Sequence, residues 1–216
     1  MKLFLVCIGL LFITKIHFNW QTCLIHQEKT AKFFLIFAVM KDRKLLNSEL
    51  GRLSAQQYRE AEPSGVEVIL DNIRSAHNVG SIFRSSDAFR IDRVWLCGIT
   101  PVPPTAEIHK TALGAEDSVR WERKENAEDA VKALQTQGFT VFAVEQTEHS
   151  VKLGEFRRES GKKYAFVFGN EVDGVSQEVV NLCDASLEIP QFGTKHSLNV
   201  SVCAGVVLWA ATKDKL

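Results

Sequence analysis

The chain has 216 residues, 45% of them hydrophobic and 24% charged, which is the composition of a soluble globular protein with one main domain and room for a short appendage. That balance excludes a disordered chain and a bundle of membrane spans. Lys plus Arg equals Asp plus Glu at 26 each, so no general field draws a polyanion to the surface. Five cysteines, Cys7, Cys23, Cys97, Cys183 and Cys203, are scattered without a CxxC spacing. They predict neither a zinc site nor a disulfide framework and suit a reducing cytosol. Cys97 and Cys203 fall in apolar runs and read as buried thiols.

The opening MKLFLVCIGLLFI has a lysine and an apolar run of signal-peptide length, yet the following KIHFNWQTC offers no small-residue pair for a signal peptidase. A second patch, FFLIFAV at 33–39, is too short to span a bilayer. Three readings stand: residues upstream of a start at Met40, a membrane anchor, or an extra element. The first is preferred because Met40 opens a polar, helix-compatible run, KDRKLLNSELGRLS. Residues 1–39 are therefore expected to lie outside the native domain, with 40–63 a short helical segment and 64–216 the main domain. The first 39 residues carry Lys2, Lys15, Lys29 and Lys32 against Glu28, so 22 of the 26 basic and 25 of the 26 acidic residues lie beyond them. That remainder has a net charge of −3, which disfavours nonspecific phosphate binding.

From Val66 the periodicity alternates between strands and helices. VEVIL reads as a buried strand, GSIFRSSDAF as a helix and RVWLCG as a strand. TPVPP then breaks the chain. TAEIHKTALGA is a short helix and SVRWER a strand candidate. ENAEDAVKALQTQ is an amphipathic helix with apolar positions Ala127, Ala130, Val131 and Leu134, stopped by Gly138. FTVFAVE, YAFVFG and ASLEIP supply further strands, and LNVSVCAGVVLWAATK is a helix apolar almost all round, which demands burial. The alternation predicts an α/β fold with a mostly parallel sheet covered by helices on both faces.

Three loops carry the polar residues of interest. AHNVGSIFRSSD opens a helix, where unpaired backbone donors and the dipole can hold an anion such as phosphate. Gly80 would let the backbone come close, Asn78 can cap the helix, and Arg84 can project toward the same mouth. FVFGNEVDGVS ends a buried strand at Gly169 and sets Asn170, Glu171 and Asp173 at its carboxyl edge, where open α/β sheets bind ligands. Glu171, if it points inward, needs an arginine or a ligand donor. IPQFGTKHSLNVSV is shaped by Pro190 and Gly193, with Ser197 placed to cap the last helix and Asn199 in its first turn. Taken singly, each loop also reads as an ordinary capped helix or turn, and His196 as a structural or solvent-facing histidine.

Together, in this order, the loops resemble the SpoU or TrmH family of knotted SPOUT methyltransferases. Asn78, Gly80, Arg84 and Ser85 match its N-x-G-x-x-x-R-[ST] motif. Gly169, Asn170, Glu171 and Gly174 match its second motif, with Asp173 a departure in emphasis. Ile189 and Pro190 through Ser197, Leu198, Asn199, Val200 and Ser201 match its third, and LGAE at 113–116 is also familiar from the group. The resemblance covers Val66 to the C-terminus. It implies a C-terminal trefoil knot, a homodimer, and S-adenosylmethionine as cofactor with no metal, used to methylate a ribose 2′-hydroxyl of structured RNA, transfer RNA before ribosomal RNA. It implies a cofactor pocket formed by Val144, Gly169, Asn170, Ile189, Pro190 and Leu198. It further implies a catalytic Arg84, as base or electrostatic stabiliser, helped by Asn78, Glu171, Ser197 and Asn199.

The alternatives are a knotted methyltransferase acting on a base nitrogen and a noncatalytic RNA-binding or assembly factor. With near-neutral net charge, RNA contact falls to local cations, for which Arg43, Lys44, His109, Lys110, Arg157, Arg158, Lys162 and Lys163 are candidates. The main domain is expected to be cytoplasmic and free of membrane.

Overall fold

The computed structural model describes residues 42–213. The readings placed on residues 1–39 lie outside the described residues. The chain divides into two units, Met1–Arg52 and Leu53–Leu216. In the first, a 3₁₀ turn at Asn47–Glu49 is closed by an Arg43–Glu49 ion pair of 2.7 Å. The second begins with α1 (Ala55–Glu60), capped by Ser54, whose side chain accepts from Gln57 N–H. Tyr58 anchors α1 by directing its hydroxyl to the carbonyls of Ile91 and Ser86 at 2.9 and 3.1 Å. The boundary at Arg52 thus assigns α1 to the main unit.

The body of that unit is a seven-stranded sheet. Its strands are β1 (Val66–Asp71), β2 (Arg93–Cys97), β3 (Arg120–Lys124), β4 (Phe139–Val144), β5 (Val151–Lys152), β6 (Lys163–Phe168) and β7 (Ala185–Glu188). The spatial order is β3-β2-β1-β6-β4-β7-β5, and every pairing is parallel rather than most of them. All six residues of β1 are buried, as its place in the middle of the sheet requires. The chain first steps outward from β1 to β3. It then crosses to β4, and later threads β6 between β1 and β4 and β7 between β4 and β5. The order reverses beside β1, which makes the carboxyl ends of β6 and β4 the switch point where ligands of such sheets bind.

Alternate residues of β1 feed two cores. Val66, Val68 and Leu70 pack with α2 (Ala76–Ala88), α3 (Ala106–Ala112), α4 (Ala115–Ser118) and α7 (Val200–Thr212). Ile69 packs on the other face with α5 (Ala127–Thr136) and α6 (Gln177–Leu182). Ala127, Ala130, Val131 and Leu134, the apolar stripe expected of α5, are all buried. The expected TAEIHKTALGA helix is broken in two because Leu113 takes a left-handed conformation, φ 55°, and closes α3. The two-residue β5 has no pattern long enough to be read from sequence.

Gly80 does a different job from the one its motif suggested. A Cβ there would stand 2.1 Å from Thr111 Oγ1 and 2.4 Å from the Ile108 carbonyl, so the bare backbone lets α2 and α3 touch. Overpacking of this kind costs about 1–3 kcal/mol. Gly80→Ala is therefore expected to lower the unfolding free energy by that amount, read as a lower denaturant midpoint at unchanged slope in an equilibrium unfolding experiment.

Candidate active site

The turn after β6 is built around two close contacts. A Cβ on Gly169 would lie 2.1 Å from both the Gly174 carbonyl carbon and the Val175 nitrogen, so glycine alone lets the chain fold back on itself here. Asn170 organises the turn: its Oδ1 accepts from Val172 N–H at 2.8 Å and its Nδ2 donates to the Asn72 carbonyl at 3.0 Å. Glu145, just past β4, grips the turn from the other side. One of its carboxylate oxygens accepts from Val175 N–H at 3.1 Å and the other from Gln146 N–H at 2.8 Å.

Glu171 then spans from this turn to the head of α2. Its carboxylate accepts from Arg74 N–H at 2.9 Å, Ser75 N–H at 3.1 Å and Asn78 Nδ2 at 2.9 Å. The anion at the head of α2 is thus the chain's own carboxylate rather than a bound phosphate, and the partners Glu171 meets are backbone and amide donors in place of an arginine. Ser75, and not Asn78, caps α2 by accepting from Asn78 N–H. That arrangement frees the Asn78 side chain to accept at Oδ1 from Asn199 Nδ2 at 3.2 Å. Asn199, and not Ser197, caps α7, accepting from Ser201 and Val202 N–H.

Partial burial alone would raise the Glu171 pKa, but hydrogen bonds from Arg74 N–H, the Asn78 amide, its own N–H and Ser75 N–H outweigh it and hold the carboxyl below the ordinary range. Burial pushes the Cys203 thiol up to about 11, so this wall residue is not a thiolate at neutral pH.

These loops enclose a cavity of about 490 Å³ over the carboxyl ends of β4, β6 and β7. Val144, Gly169, Asn170, Glu171, Ile189, Ser197, Leu198 and Asn199 line it. Pro190 is exposed and lies outside the wall. Asn78 stands behind the wall and acts through Glu171 and Asn199. Arg84 is exposed, outside the wall, six residues and about 9 Å further along α2. No described residue pairs with it. Sequence reading placed Val144 in the wall and Glu171 and Asp173 at its edge but missed Glu145 and Glu188. Glu145, Glu171, Asp173 and Glu188 all line the cavity, and no Lys or Arg does so among the described residues. The available signal was acidic residues at three separate strand or turn ends: Glu145, the turn with Glu171 and Asp173, and Glu188. Among the described residues no three His, Cys, Asp or Glu side chains are grouped to hold a metal, and no helix is long and apolar enough to cross a membrane.

Of the cations expected to meet RNA, several are otherwise employed. Arg158 is held by the carbonyls of Ser64 and Ala211, and burial lowers its pKa. Arg157 donates to the Gly154 and Phe156 carbonyls, and Lys162 pairs with Glu159. Lys163 opens β6, so it sits at the opposite end of that strand from the cavity. His109 is paired with Glu116 at 2.6 Å.

A parallel α/β sheet with a cavity at its switch point, walled by three turns that bond to one another, defines a ligand-binding enzyme fold. The chain belongs to the SpoU rRNA Methylase family, whose model matches residues 65–209. A tRNA (guanosine(18)-2′-O)-methyltransferase of Thermus thermophilus is 32% identical over 169 residues, 78% of this chain and 85% of that protein. A 23S rRNA (guanosine-2′-O-)-methyltransferase of Vibrio cholerae is 30% identical over 183 residues, 84% of this chain and 70% of the relative. Among solved structures, the TrmH/SpoU tRNA modifying enzyme of A. aeolicus superposes with a TM-score of 0.65 at 27% identity, over 74% of this chain and 82% of the other. An AdoMet-bound rRNA methyltransferase from Sinorhizobium meliloti gives 0.66 at 28% identity, over 74% of this chain and 60% of the other.

The lowered Glu171 pKa fixes the sign of a pH effect. A carboxyl whose pKa is depressed on folding stabilises the fold fully above its unfolded pKa and loses that contribution as pH falls through the folded value. Wild type is therefore expected to exceed Glu171→Gln in stability at neutral pH, with the gap narrowing on acidification. Urea unfolding of both proteins across that range measures it, and a gap independent of pH contradicts the assignment.

Proposed function

We propose that this protein is a cytoplasmic enzyme that transfers a methyl group from S-adenosylmethionine to a ribose 2′-hydroxyl of RNA, with transfer RNA placed ahead of ribosomal RNA. One observation carries the reading. The cavity is lined by four carboxylates and by no Lys or Arg among the described residues. Only Glu188 among the four is ion-paired, to Lys152, which leaves a field that favours a cationic nucleoside and repels a phosphorylated one. S-adenosylmethionine fits that character and, when bound, supplies an electrophilic methyl on a positively charged sulfur. Val144, Gly169, Asn170, Ile189 and Leu198 would hold it, with Pro190 shaping the loop from outside.

The chain's own residues then serve the acceptor. A 2′-hydroxyl is a weak nucleophile until its proton leaves. An arginine stays protonated and can stabilise the developing alkoxide, and Arg84 stands exposed without a described partner, available to an acceptor and its phosphate. Asn78, Glu171, Ser197 and Asn199 act by fixing the relative positions of α2, the turn after β6 and the head of α7.

Two features of assembly belong to the same proposal. The segment 189–199 runs from β7 back over the ends of β4 and β6 to reach α2, pinned on the way by Gln146 Nε2 donating to the His196 carbonyl at 2.8 Å. We read this threading as a trefoil knot. Val202, Val206 and Trp209 are 53%, 39% and 51% exposed along one face of α7, beside Phe89, whose ring centroid is 6.0 Å from that of Trp209. An apolar stripe of this kind marks an interface, and we assign it to a homodimer. In domain terms, residues 64–216 are proposed as the catalytic domain, 40–63 as a short helical segment before it, and 1–39 as lying outside it.

Incubating the full chain with tritiated S-adenosylmethionine and unmodified transfer or ribosomal RNA, followed by nuclease digestion and mass analysis, is expected to place the methyl on ribose. A methyl on a base, or no transfer to either RNA, overturns the reading. Arg84→Ala is expected to keep cofactor affinity by calorimetry and lose turnover by about 100-fold or more, the size seen when a transition-state donor is removed. Trp209→Glu is expected to shift sedimentation from dimer to monomer.

A further inference from the structure

The rim of the cavity carries apolar side chains that the fold does not use. Val172, a lining residue, is 72% exposed and Leu198, another, 39%. Phe192 is 97% exposed, directly after the lining residue Gln191. A phenylalanine this exposed gains nothing from folding, since its apolar surface stays in water. Two exposed cations adjoin the wall, Lys195 directly before the lining residue His196 and Arg74, whose N–H bonds the lining Glu171; neither is ion-paired to a described residue, while the cavity wall is acidic.

This division of charge constrains how RNA can approach, granted the function proposed above. The carboxylates repel phosphate, so the backbone is held at the cationic rim and only a nucleoside reaches the mouth. Its base then needs an apolar face to replace the neighbours it leaves. We propose that Phe192 is that face: the base of an unpaired acceptor nucleotide, in a loop or bulge, stacks on its ring. Single-stranded RNA is commonly recognised in this way, by splayed bases on aromatic side chains, and the contact tolerates any base because each has a π-face. The enzyme would therefore select its acceptor by lack of pairing before identity.

The test compares wild type, Phe192→Ala, Phe192→Trp and Phe192→Leu in the full chain. Steady-state methylation of an unmodified transfer RNA transcript is paired with fluorescence-anisotropy binding of an RNA hairpin and a fully paired duplex of equal length. Alanine is expected to raise KM for RNA about tenfold, within the range of one stacking contact, and to weaken hairpin binding equally. Cofactor affinity, kcat at saturating RNA and duplex binding stay unchanged. Tryptophan restores the loss and leucine does not. Equal rescue by leucine, unchanged hairpin binding in the alanine variant, lost cofactor affinity, or a change in oligomeric mass each overturns the proposal. If the hairpin depends on Phe192 and no methyl moves in wild type, the enzymatic reading fails while the stacking face stands. If methylation proceeds equally in wild type and the alanine variant, the reverse holds.

Discussion

The carboxylate of Glu171 holds together three segments that lie far apart in the chain. It reaches from the turn after β6 to the first backbone donors of α2, and through Asn78 it connects to Asn199 at the head of α7. Donors at a helix start have no partners within the helix. The Glu171 carboxylate supplies one to the Ser75 N–H and to the Arg74 N–H just before it. Asn199 serves twice, since its Oδ1 caps α7 while its Nδ2 meets Asn78. The cavity wall is therefore only as rigid as this hydrogen-bonded chain. A helix head that sequence suggests as a ligand site is instead spent on building the site next to it.

With the head of α2 occupied from within, charge separates across the mouth. Carboxylates line the interior, three of them engaged by hydrogen bonds: Glu145 to Val175 N–H, Glu171 to α2, and Glu188 to Ser150 Oγ at 2.6 Å and to Lys152. Glu188 already meets a cation in Lys152, whereas Glu145 and Glu171 are held by backbone and amide donors and need little reorganisation to face one, the condition under which an electrostatic site acts most strongly. The cations lie on the rim or further out. Near-neutral net charge leaves no general attraction to set against this local pattern, so placement rather than abundance of charge decides which part of a nucleic acid comes near.

Much of the sheet was legible, because buried parallel strands advertise themselves as apolar β-branched runs. VEVIL, RVWLCG, FTVFAVE and YAFVFG all became strands, and the stripe of α5 was read residue by residue. What stayed hidden depended on partners distant in sequence. Glu67 interrupts the first strand with a charge, tolerated because Trp95 Nε1 donates to it at 2.6 Å. Leu113 splits a continuous helical pattern by adopting φ 55°, and β5 exists only through its pairing with β7. The caps of two helices were misassigned. Asn78 and Ser197 looked like caps because capping is local. Ser75 caps α2 while the Asn78 side chain is claimed by Glu171 and Asn199, and Asn199 both caps α7 and makes that long-range bond.

The two motif glycines make the same point about what a motif records. Gly80 and Gly169 both invite a reading in which bare backbone approaches a ligand, and both are packed against protein: Gly80 against α3, and Gly169, which also lines the cavity, against its own returning turn. Each removes a Cβ from a place where two backbone segments meet, and in doing so brings a polar residue into register, Asn78 in one case and Glu171 in the other. Arg84 is the exception within the first motif, because it makes no contact that the fold requires. It is exposed and no described residue pairs with it, so packing does not account for its place in the motif.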